Sequence, residues 1–194
     1  MNARDLRLRN DCASLIRLCE RSEGAIEIES KRGNPPDEYV LFYNCRSIER
    51  LNGDRPVYAN GHRLRVRLPA RYPLPSAPPR LELLTPLYNP HIYPNLQVCI
   101  GNWQTSEYLD ELVARVGALI QFDRRILNLR DPANPEAMEW VRRNLRLLPT
   151  DNRLFGEAPE PSRETLPDAL PDLSEVARQQ HLVTDDIVWI DEEV

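Results

Sequence analysis

Apolar residues recur at helical spacing near the start of the chain. Between residues 4 and 21, Leu8, Cys12, Leu15, Ile16 and Cys19 are separated by the offsets of one helix face, and arginines occupy much of the remaining surface. This pattern predicts an amphipathic N-terminal helix, called helix 1 below. Because free cysteines are often buried as small hydrophobic residues, Cys12 and Cys19 are interpreted as part of its apolar face.

A change of period after Gly24 predicts strands. Apolar residues alternate with charged ones in two of the segments that follow, and a third is rich in aromatic and other β-prone types. The dipeptides Asn52-Gly53 and Asn60-Gly61 accept positive φ, so each predicts a tight reversal. We therefore expect a four-stranded antiparallel meander. Its strands are predicted at residues 25–29, 39–45, 64–68 and 80–84.

Proline separates this sheet from a second helical pattern. Residues 69–94 contain eight of the 18 prolines, which excludes a helix there and predicts an ordered loop around the short fourth strand. Beyond the loop, Ser106 is the expected N-cap of a helix, and acidic residues occupy the first turn. The apolar residues that recur in this helix are Leu109, Leu112, Val113, Val116, Leu119 and Ile120.

A last helix is predicted from Asn134 to a point before Pro149. Pro135 occupies the first helical turn, where a missing N–H is tolerated. The helix is expected to bury Met138, Trp140, Val141 and Leu145. The overall fold class is therefore α+β, with one helix before the sheet and two after the loop.

Charge divides the chain into two parts. Residues 1–146 carry 22 basic and 18 acidic side chains, whereas residues 147–194 carry 3 basic and 12 acidic ones. The second part is also rich in proline, as is typical of a linker. The sequence therefore predicts a domain at residues 1–148 and an acidic tail at residues 149–194, in which the apolar residues around Trp189 form a short partner-binding segment.

Composition indicates the cellular location of the protein and the state of its cysteines. No apolar run approaches membrane-spanning length, and the arginines spread through the first 21 residues are unlike a signal peptide. The four cysteines are too few and too dispersed for a disulfide scaffold, and no spacing is typical of a zinc site. We expect a cytoplasmic protein with free thiols that binds neither membrane nor nucleic acid.

Cys99 is the residue that stands out for chemistry. It lies where the apolar residues Val98 and Ile100 give way to Gly101, and His91 lies eight residues upstream. A thiol is nucleophilic enough for acyl exchange without a full catalytic triad. On composition alone Cys99 is interpreted as a structural residue, as Cys45 is within its predicted strand.

The context of Cys99 resembles the ubiquitin-conjugating enzyme family over roughly residues 1–148. That family has a proline-containing turn after the third strand, an aromatic-His-Pro-Asn-Ile motif, and a catalytic cysteine eight residues after the Asn. An Asp-Pro-Asn-Pro segment then precedes a helix. The corresponding residues here are Pro69-Ala70-Arg71-Tyr72-Pro73, Pro78-Pro79, Tyr88-Asn89-Pro90-His91-Ile92, Val98-Cys99-Ile100 and Asp131-Pro132-Ala133-Asn134-Pro135-Glu136.

This resemblance implies a fold and a set of site residues. The fold has an N-terminal helix, a four-stranded antiparallel meander, an active-site loop and then two helices. Cys99 is implied as the nucleophile that holds an acyl group as a thioester. The family's His-Pro-Asn is exchanged here to Asn89-Pro90-His91, so either His91 or Asn89 is the expected helper for the oxyanion. Either Asp131 or Glu136 is expected to act on the incoming amine.

The chain also departs from the family beyond Cys99. Trp103 lies only four residues past the cysteine, and the acidic tail replaces the family's later pair of helices. This truncation resembles divergent bacterial members encoded with their own ubiquitin-like protein and activating enzyme. It implies a bacterial conjugation pathway, with antiviral defence as its setting.

The resemblance also implies partners. They are a ubiquitin-like protein, a protein target, and an activating enzyme that contacts helix 1 through Arg4, Arg7, Arg9 and Arg17. No metal or organic cofactor is expected. One alternative is a non-catalytic module of the same fold that binds a ubiquitin-like protein or organises its pathway. A cysteine peptidase using Cys99 and His91 is a second alternative, which lacks a family signature.

Overall fold

Helix 1 is present as α1, Ala3–Arg21. The computed structural model describes residues 2–127, 131–149 and 155. Asn2 begins the helix because its side chain accepts a hydrogen bond from the backbone N–H of Asp5 at 2.7 Å. The predicted amphipathic helix is therefore confirmed, with an N-cap that satisfies one of its free donors.

The buried face of α1 includes a carboxylate. Leu8, Asp11, Leu15 and Leu18 are its buried residues, spaced three or four apart. The prediction that Ile16 lies on this face is wrong, because its side chain is 36% exposed and Leu18 takes the place. Asp11 is fully buried and accepts hydrogen bonds from the Arg7 guanidinium and from the Tyr72 hydroxyl at 2.7 Å.

The predicted four-stranded antiparallel meander is confirmed. Its strands pair in sequence order, each antiparallel to the next. The first three strands are longer than the sequence pattern predicted. The second and third extend furthest because they form one long hairpin. The strands are β1 (Ile26–Gly33), β2 (Pro36–Asn52), β3 (Arg55–Arg67) and β4 (Arg80–Leu83).

Only one of the two predicted reversals is a turn. Asn52-Gly53 joins β2 to β3 as expected, with Gly53 at φ 61°. Asn60-Gly61 instead lies within β3, where the pairing with β2 shifts register, so the predicted reversal there is wrong. Gly61 has φ 84°, and a Cβ would come within 2.7 Å of the Phe42 ring. The glycine therefore serves a bulge that a side chain would block.

The outer face of the sheet is covered by ion pairs between strands. Arg63, Arg65 and Arg67 alternate along β3 on this face. They pair with Glu29 of β1, Glu82 of β4 and Glu38 of β2, respectively. The alternating arginines in the sequence are thus neutralised by their neighbours, and the inner face of the sheet is left to pack on the helices.

Helix α2, Leu109–Ile120, lies within the core and packs against both the sheet and α1. Nine of its 12 residues are buried, so it is enclosed on nearly all sides. It begins two residues later than predicted, because the backbone N–H of Tyr108 bonds Glu111 at 2.9 Å and that of Leu109 reaches Asp11. Ser106 is therefore not its N-cap. Across the described part of the chain, no helix is long and apolar enough to cross a membrane.

Helix α3, Pro135–Arg143, starts as predicted behind Asn134, whose side chain accepts from the N–H of Ala137. It buries Trp140 and Val141 in a second apolar cluster with Ile48 and Phe122. The predicted Met138 and Leu145 are half-buried beside this cluster. A short 3-10 helix, Leu145–Leu147, follows before Pro149.

Phe155 extends the packed core past the predicted domain boundary at residue 148. Its ring is 5% exposed and meets Tyr43 edge-on, with ring centroids 5.8 Å apart. Gly117 of α2 accommodates it, since a Cβ there would lie 2.6 Å from the Phe155 ring. The predicted partner-binding segment around Trp189 lies outside the described residues, and the division into two parts stays a prediction.

The protein is expected to become less stable as the pH decreases, because it buries a histidine. His62 on β3 is fully buried and lacks a hydrogen bond of good geometry to either ring nitrogen. Burial lowers the pKa of His62, although nearby backbone at Ala59 and Cys45 opposes the shift. The unfolded chain therefore binds a proton at higher pH than the folded one, so stability is lost as pH drops below about 6.5.

Urea unfolding at pH 7.5, 6.5 and 5.5 checks this expectation. The free energy of unfolding of the wild type should decrease over this range more than that of His62→Leu. A smaller decrease should remain in the variant, because burial also lowers the pKa of His91. Equal pH dependence in both proteins would contradict the assignment to His62.

Candidate active site

Cys99 is placed by a small hairpin-like loop, residues 91–99. Ile92 and Val98 pair across it and point into the core. The N–H of Tyr93 donates to the carbonyl of Gln97 at 2.9 Å, and the N–H of Cys99 donates to the carbonyl of His91 at 2.8 Å. Because side chains alternate along paired segments, His91, Tyr93 and Cys99 share the other face. The Cys99 side chain is partly exposed there.

Asn89 braces this loop against α2. Its side chain is fully buried, the amide nitrogen donates to the carbonyl of Leu119 at 2.9 Å, and the amide oxygen accepts from the N–H of His91 at 2.9 Å. Both polar atoms of the amide are therefore engaged. Of the two residues predicted as alternative oxyanion helpers, Asn89 is thus the one whose side chain binds the active-site loop to the core.

His91 adjoins Cys99 through the backbone. Its side chain is only 7% exposed. Burial lowers the pKa of His91, so the imidazole is neutral at pH 7. A neutral imidazole retains one N–H donor, and the role of oxyanion helper for this ring stays a prediction.

Tyr93 is the site residue that sequence reasoning missed. Its side chain is 42% exposed, and its hydroxyl lies at the Cys99 thiol. The charge of Cys99, a side-chain hydrogen bond to it, and the charge of Asp131 all raise the pKa of Tyr93. The phenol therefore stays protonated and can donate a hydrogen bond next to the sulfur. The alternation of apolar Ile92 and Val98 about the loop is the signal that could have identified it.

The structure separates the two predicted acidic residues. The N–H of Asn134 donates to the carbonyl of Pro90 at 2.9 Å, which brings the segment before α3 against the active-site loop. The charge of the exposed Asp131 in this segment helps to raise the pKa of Tyr93. The charge of the exposed Glu136 instead helps to raise the pKa of Tyr88, for which burial is the larger cause. The structure thus brings Asp131, and not Glu136, to the group formed by Tyr93 and Cys99.

The chain beyond Cys99 reaches α2 through nine residues, 100–108, called the connecting segment. They form no helix or strand. The indole N–H of Trp103 donates to the carbonyl of Pro73 at 3.0 Å. Arg7 of α1 donates to the carbonyls of Thr105, at 2.8 Å, and of Glu107. Side chains from other parts of the fold therefore hold this segment.

The four arginines predicted to contact a partner differ in availability. The Arg4 guanidinium donates to Asp37 and to the carbonyls of Leu68 and Pro69. Arg7 is bound to Asp11, Tyr72 and the connecting segment. Arg9 and Arg17 are exposed. The side chains of Arg4 and Arg7 are thus bound within the fold. Of the four arginines, Arg9 and Arg17 are the ones exposed on α1 and able to contact a partner.

The other three cysteines lie in the core or beside it. Cys45 is buried, and Cys12 and Cys19 are half-buried against the core, as interpreted from the sequence. Burial raises the pKa of Cys19 to about 11, which makes it a poor nucleophile. Within residues 2–127 and 131–149, no three His, Cys, Asp or Glu side chains are grouped so as to hold a metal ion.

Comparison with known proteins identifies relatives of this architecture. Residues 46–149 match the family model described as ubiquitin-conjugating enzyme. The SUMO-conjugating enzyme UBC9 of Caenorhabditis elegans is 27% identical over 95 residues, which are 46% of this chain. The match spans 55% of the length of that relative.

Two solved structures share the fold. A protein described as a ubiquitin-conjugating enzyme from Trypanosoma cruzi has a TM-score of 0.54 at 18% identity, covering 72% of this chain and 90% of that one. A second, described in the same way, from Plasmodium yoelii has a TM-score of 0.52 at 18% identity, covering 76% and 88%. The predicted fold is therefore confirmed, and the predicted bacterial origin stays a prediction.

Removal of the Asn89 amide is expected to destabilise the protein. In Asn89→Ala, the buried N–H of His91 loses its partner and the carbonyl of Leu119 loses one of two, keeping the N–H of Phe122, which together costs about 2 kcal/mol in the free energy of unfolding. Urea unfolding measures this change. Asn95→Ala is the matched control, since Asn95 is exposed and accepts one local hydrogen bond from Gln97. Equal losses in the two variants would contradict the bracing role.

Proposed function

Because the chain belongs to the ubiquitin-conjugating enzyme family, we propose that it carries the C-terminus of a ubiquitin-like protein as a thioester on Cys99 and passes it to an amine of a target. The supporting observation is the partly exposed Cys99 sulfur, which has a hydrogen bond with the Tyr93 side chain, whose pKa is also raised by the charge of Asp131. These are the donor and the acceptor that aminolysis of a thioester requires. The protein is thus proposed to be an acyltransferase.

The proposed reaction has two exchanges at one sulfur. In the first, Cys99 attacks the thioester that joins the modifier to its activating enzyme. A new S–C bond forms, the activating enzyme's sulfur leaves, and the proton of the Cys99 thiol is released. In the second, the target amine attacks the same carbonyl, an amide forms, and Cys99 leaves as thiolate and regains a proton.

The residues around Cys99 have distinct proposed roles in the second exchange. Asp131 accepts the proton that the amine loses. Tyr93, kept protonated by its raised pKa, donates a hydrogen bond to the developing oxyanion. His91 adds a second donor from the same loop, as the sequence predicted for this position.

The proposed partners follow from the family and from α1. The activating enzyme is proposed to contact α1, where Arg9 and Arg17 are exposed and suit an acidic surface. The relative from Caenorhabditis elegans is named as a SUMO-conjugating enzyme, which makes SUMO one modifier to test beside ubiquitin. A binding module without catalysis is the rival, and the cluster of Tyr93 and Asp131 at the sulfur favours catalysis over it.

Cys99→Ala is expected to abolish formation of the thioester. The wild type, incubated with ATP and either ubiquitin or SUMO and the matching activating enzyme, should give an adduct on a non-reducing gel that dithiothreitol removes. Cys19→Ala is the matched control and should be charged like the wild type, because burial raises the pKa of its thiol. An adduct that persists in Cys99→Ala would place the nucleophile elsewhere. If neither modifier is transferred yet one binds, the binding module is supported instead.

Tyr93→Phe and Asp131→Asn are expected to slow discharge more than charging. Both lose a group needed when the amine attacks, so the rate of discharge of the preformed thioester to free lysine should fall about tenfold or more. Single-turnover discharge assays measure this rate. Glu136→Gln compares the other predicted acid and should discharge at the wild-type rate, because Glu136 acts on Tyr88. A slower Glu136→Gln together with an unaffected Asp131→Asn would reverse the assignment.

A further inference from the structure

Arg115 on α2 holds both ends of the connecting segment. One guanidinium nitrogen, Nη2, donates to the carbonyl of Ile100 at 3.2 Å and lies 2.7 Å from the carboxylate of Glu107. The side chains of Arg115 and Glu107 are 32% and 13% exposed. Partial burial strengthens such a charge-assisted contact relative to an exposed pair. One arginine therefore closes a loop that begins at the residue after Cys99.

The carbonyl that Arg115 binds belongs to Ile100, the residue that follows Cys99. On the other side of the residue, the N–H of Cys99 is already bonded to the carbonyl of His91. Gly101 has φ 69°, and among the described residues no atom beyond its chain neighbours lies within 4 Å of the position of a Cβ there. The side chain of Ile100 packs against the core. The contact from Arg115 adds a polar restraint at the Ile100 carbonyl, on this side of the sulfur.

We propose that Arg115 is a positioning residue for the Cys99 nucleophile, an inference that rests on the proposed thioester function. The arginine fixes the backbone on the far side of Cys99, so that the sulfur remains beside the Tyr93 hydroxyl. A displacement of a reacting atom by about 1 Å lowers rates by up to about a hundredfold. The bonds of Arg7 to Thr105 and Glu107 support the same segment from α1.

An arginine suits this position. The two N–H groups of Nη2 are fixed in the guanidinium plane, so this nitrogen reaches the carbonyl of Ile100 and the carboxylate of Glu107 together. A lysine keeps the charge but offers one compact ammonium group. Arg115→Lys should therefore retain part of the effect, while Arg115→Met keeps the aliphatic stem and loses every donor.

The first measurement is independent of the modifier. Amide hydrogen exchange of peptides that cover residues 99–108 should be faster in Arg115→Met than in the wild type, and intermediate in Arg115→Lys. Arg124→Met is the matched control, since Arg124 is exposed in the turn after α2. Thermal unfolding of each variant verifies that it folds. Unchanged exchange in Arg115→Met would overturn the proposal.

The second measurement separates positioning from general destabilisation. With ubiquitin or SUMO, whichever charges the wild type, the maximal rate of discharge of the preformed thioester to free lysine should fall about tenfold in Arg115→Met, with the half-saturating lysine concentration unchanged. Arg124→Met should match the wild type. An unchanged maximal rate, or a change in the half-saturating concentration alone, would overturn the proposal. If the wild type itself forms no thioester, the proposed function fails and the positioning role falls with it, while exchange still decides whether Arg115 holds the segment.

Discussion

The chain between β4 and α2 has to satisfy its backbone polar groups without a helix or a continuous strand. Residues 84–108 contain only the isolated pairings of Val98 with Ile92 and of Gln97 with Glu82. Buried N–H and carbonyl groups are rarely left without a partner, so their bonds go to side chains and to neighbouring loops. The three residues proposed to act on the thioester from this region, His91, Tyr93 and Cys99, owe their positions to those bonds.

Helix α2 is the common support for these contacts. Its carbonyl at Leu119 accepts from Asn89, and its Arg115 side chain binds Ile100, so it holds the chain on both sides of the active-site loop. The helix is in turn fixed by the sheet, by α1 and by Phe155, whose ring lies against Gly117 between those two contact points. A glycine inside a helix is unfavourable by about 1 kcal/mol relative to alanine. The close approach of Phe155 explains why Gly117 is tolerated there.

Local sequence patterns predicted the helices and strands well, and the contacts of individual residues less well. Periodicity located α1, all four strands, α2 and α3, because burial of one face imposes the period directly. Asn60-Gly61 was misread because positive φ serves a bulge as readily as a turn, and only the position of Phe42 decides between them. Ile16 was misassigned because Asp11, a polar residue, occupies the buried face beside Leu15. The hydrogen-bond partners of Asp11, Arg7 and Tyr72, lie four and 61 residues away in the sequence. No local pattern reveals the contact with Tyr72.

The active site shows the same division between local and long-range information. Motif spacing singled out Cys99, and the exchange of polar residues about Pro90 left the helper open. In the fold the amide at position 89 is buried and bound to α2, and the phenol of Tyr93 has a hydrogen bond with the Cys99 thiol. Burial lowers the pKa of His91, and the charges of Cys99 and Asp131 raise the pKa of Tyr93. Both groups are therefore neutral donors at pH 7. Under the proposed function, a developing oxyanion at Cys99 would meet hydrogen-bond donors that add no positive charge, so its stabilisation should depend on their placement more than on long-range electrostatics.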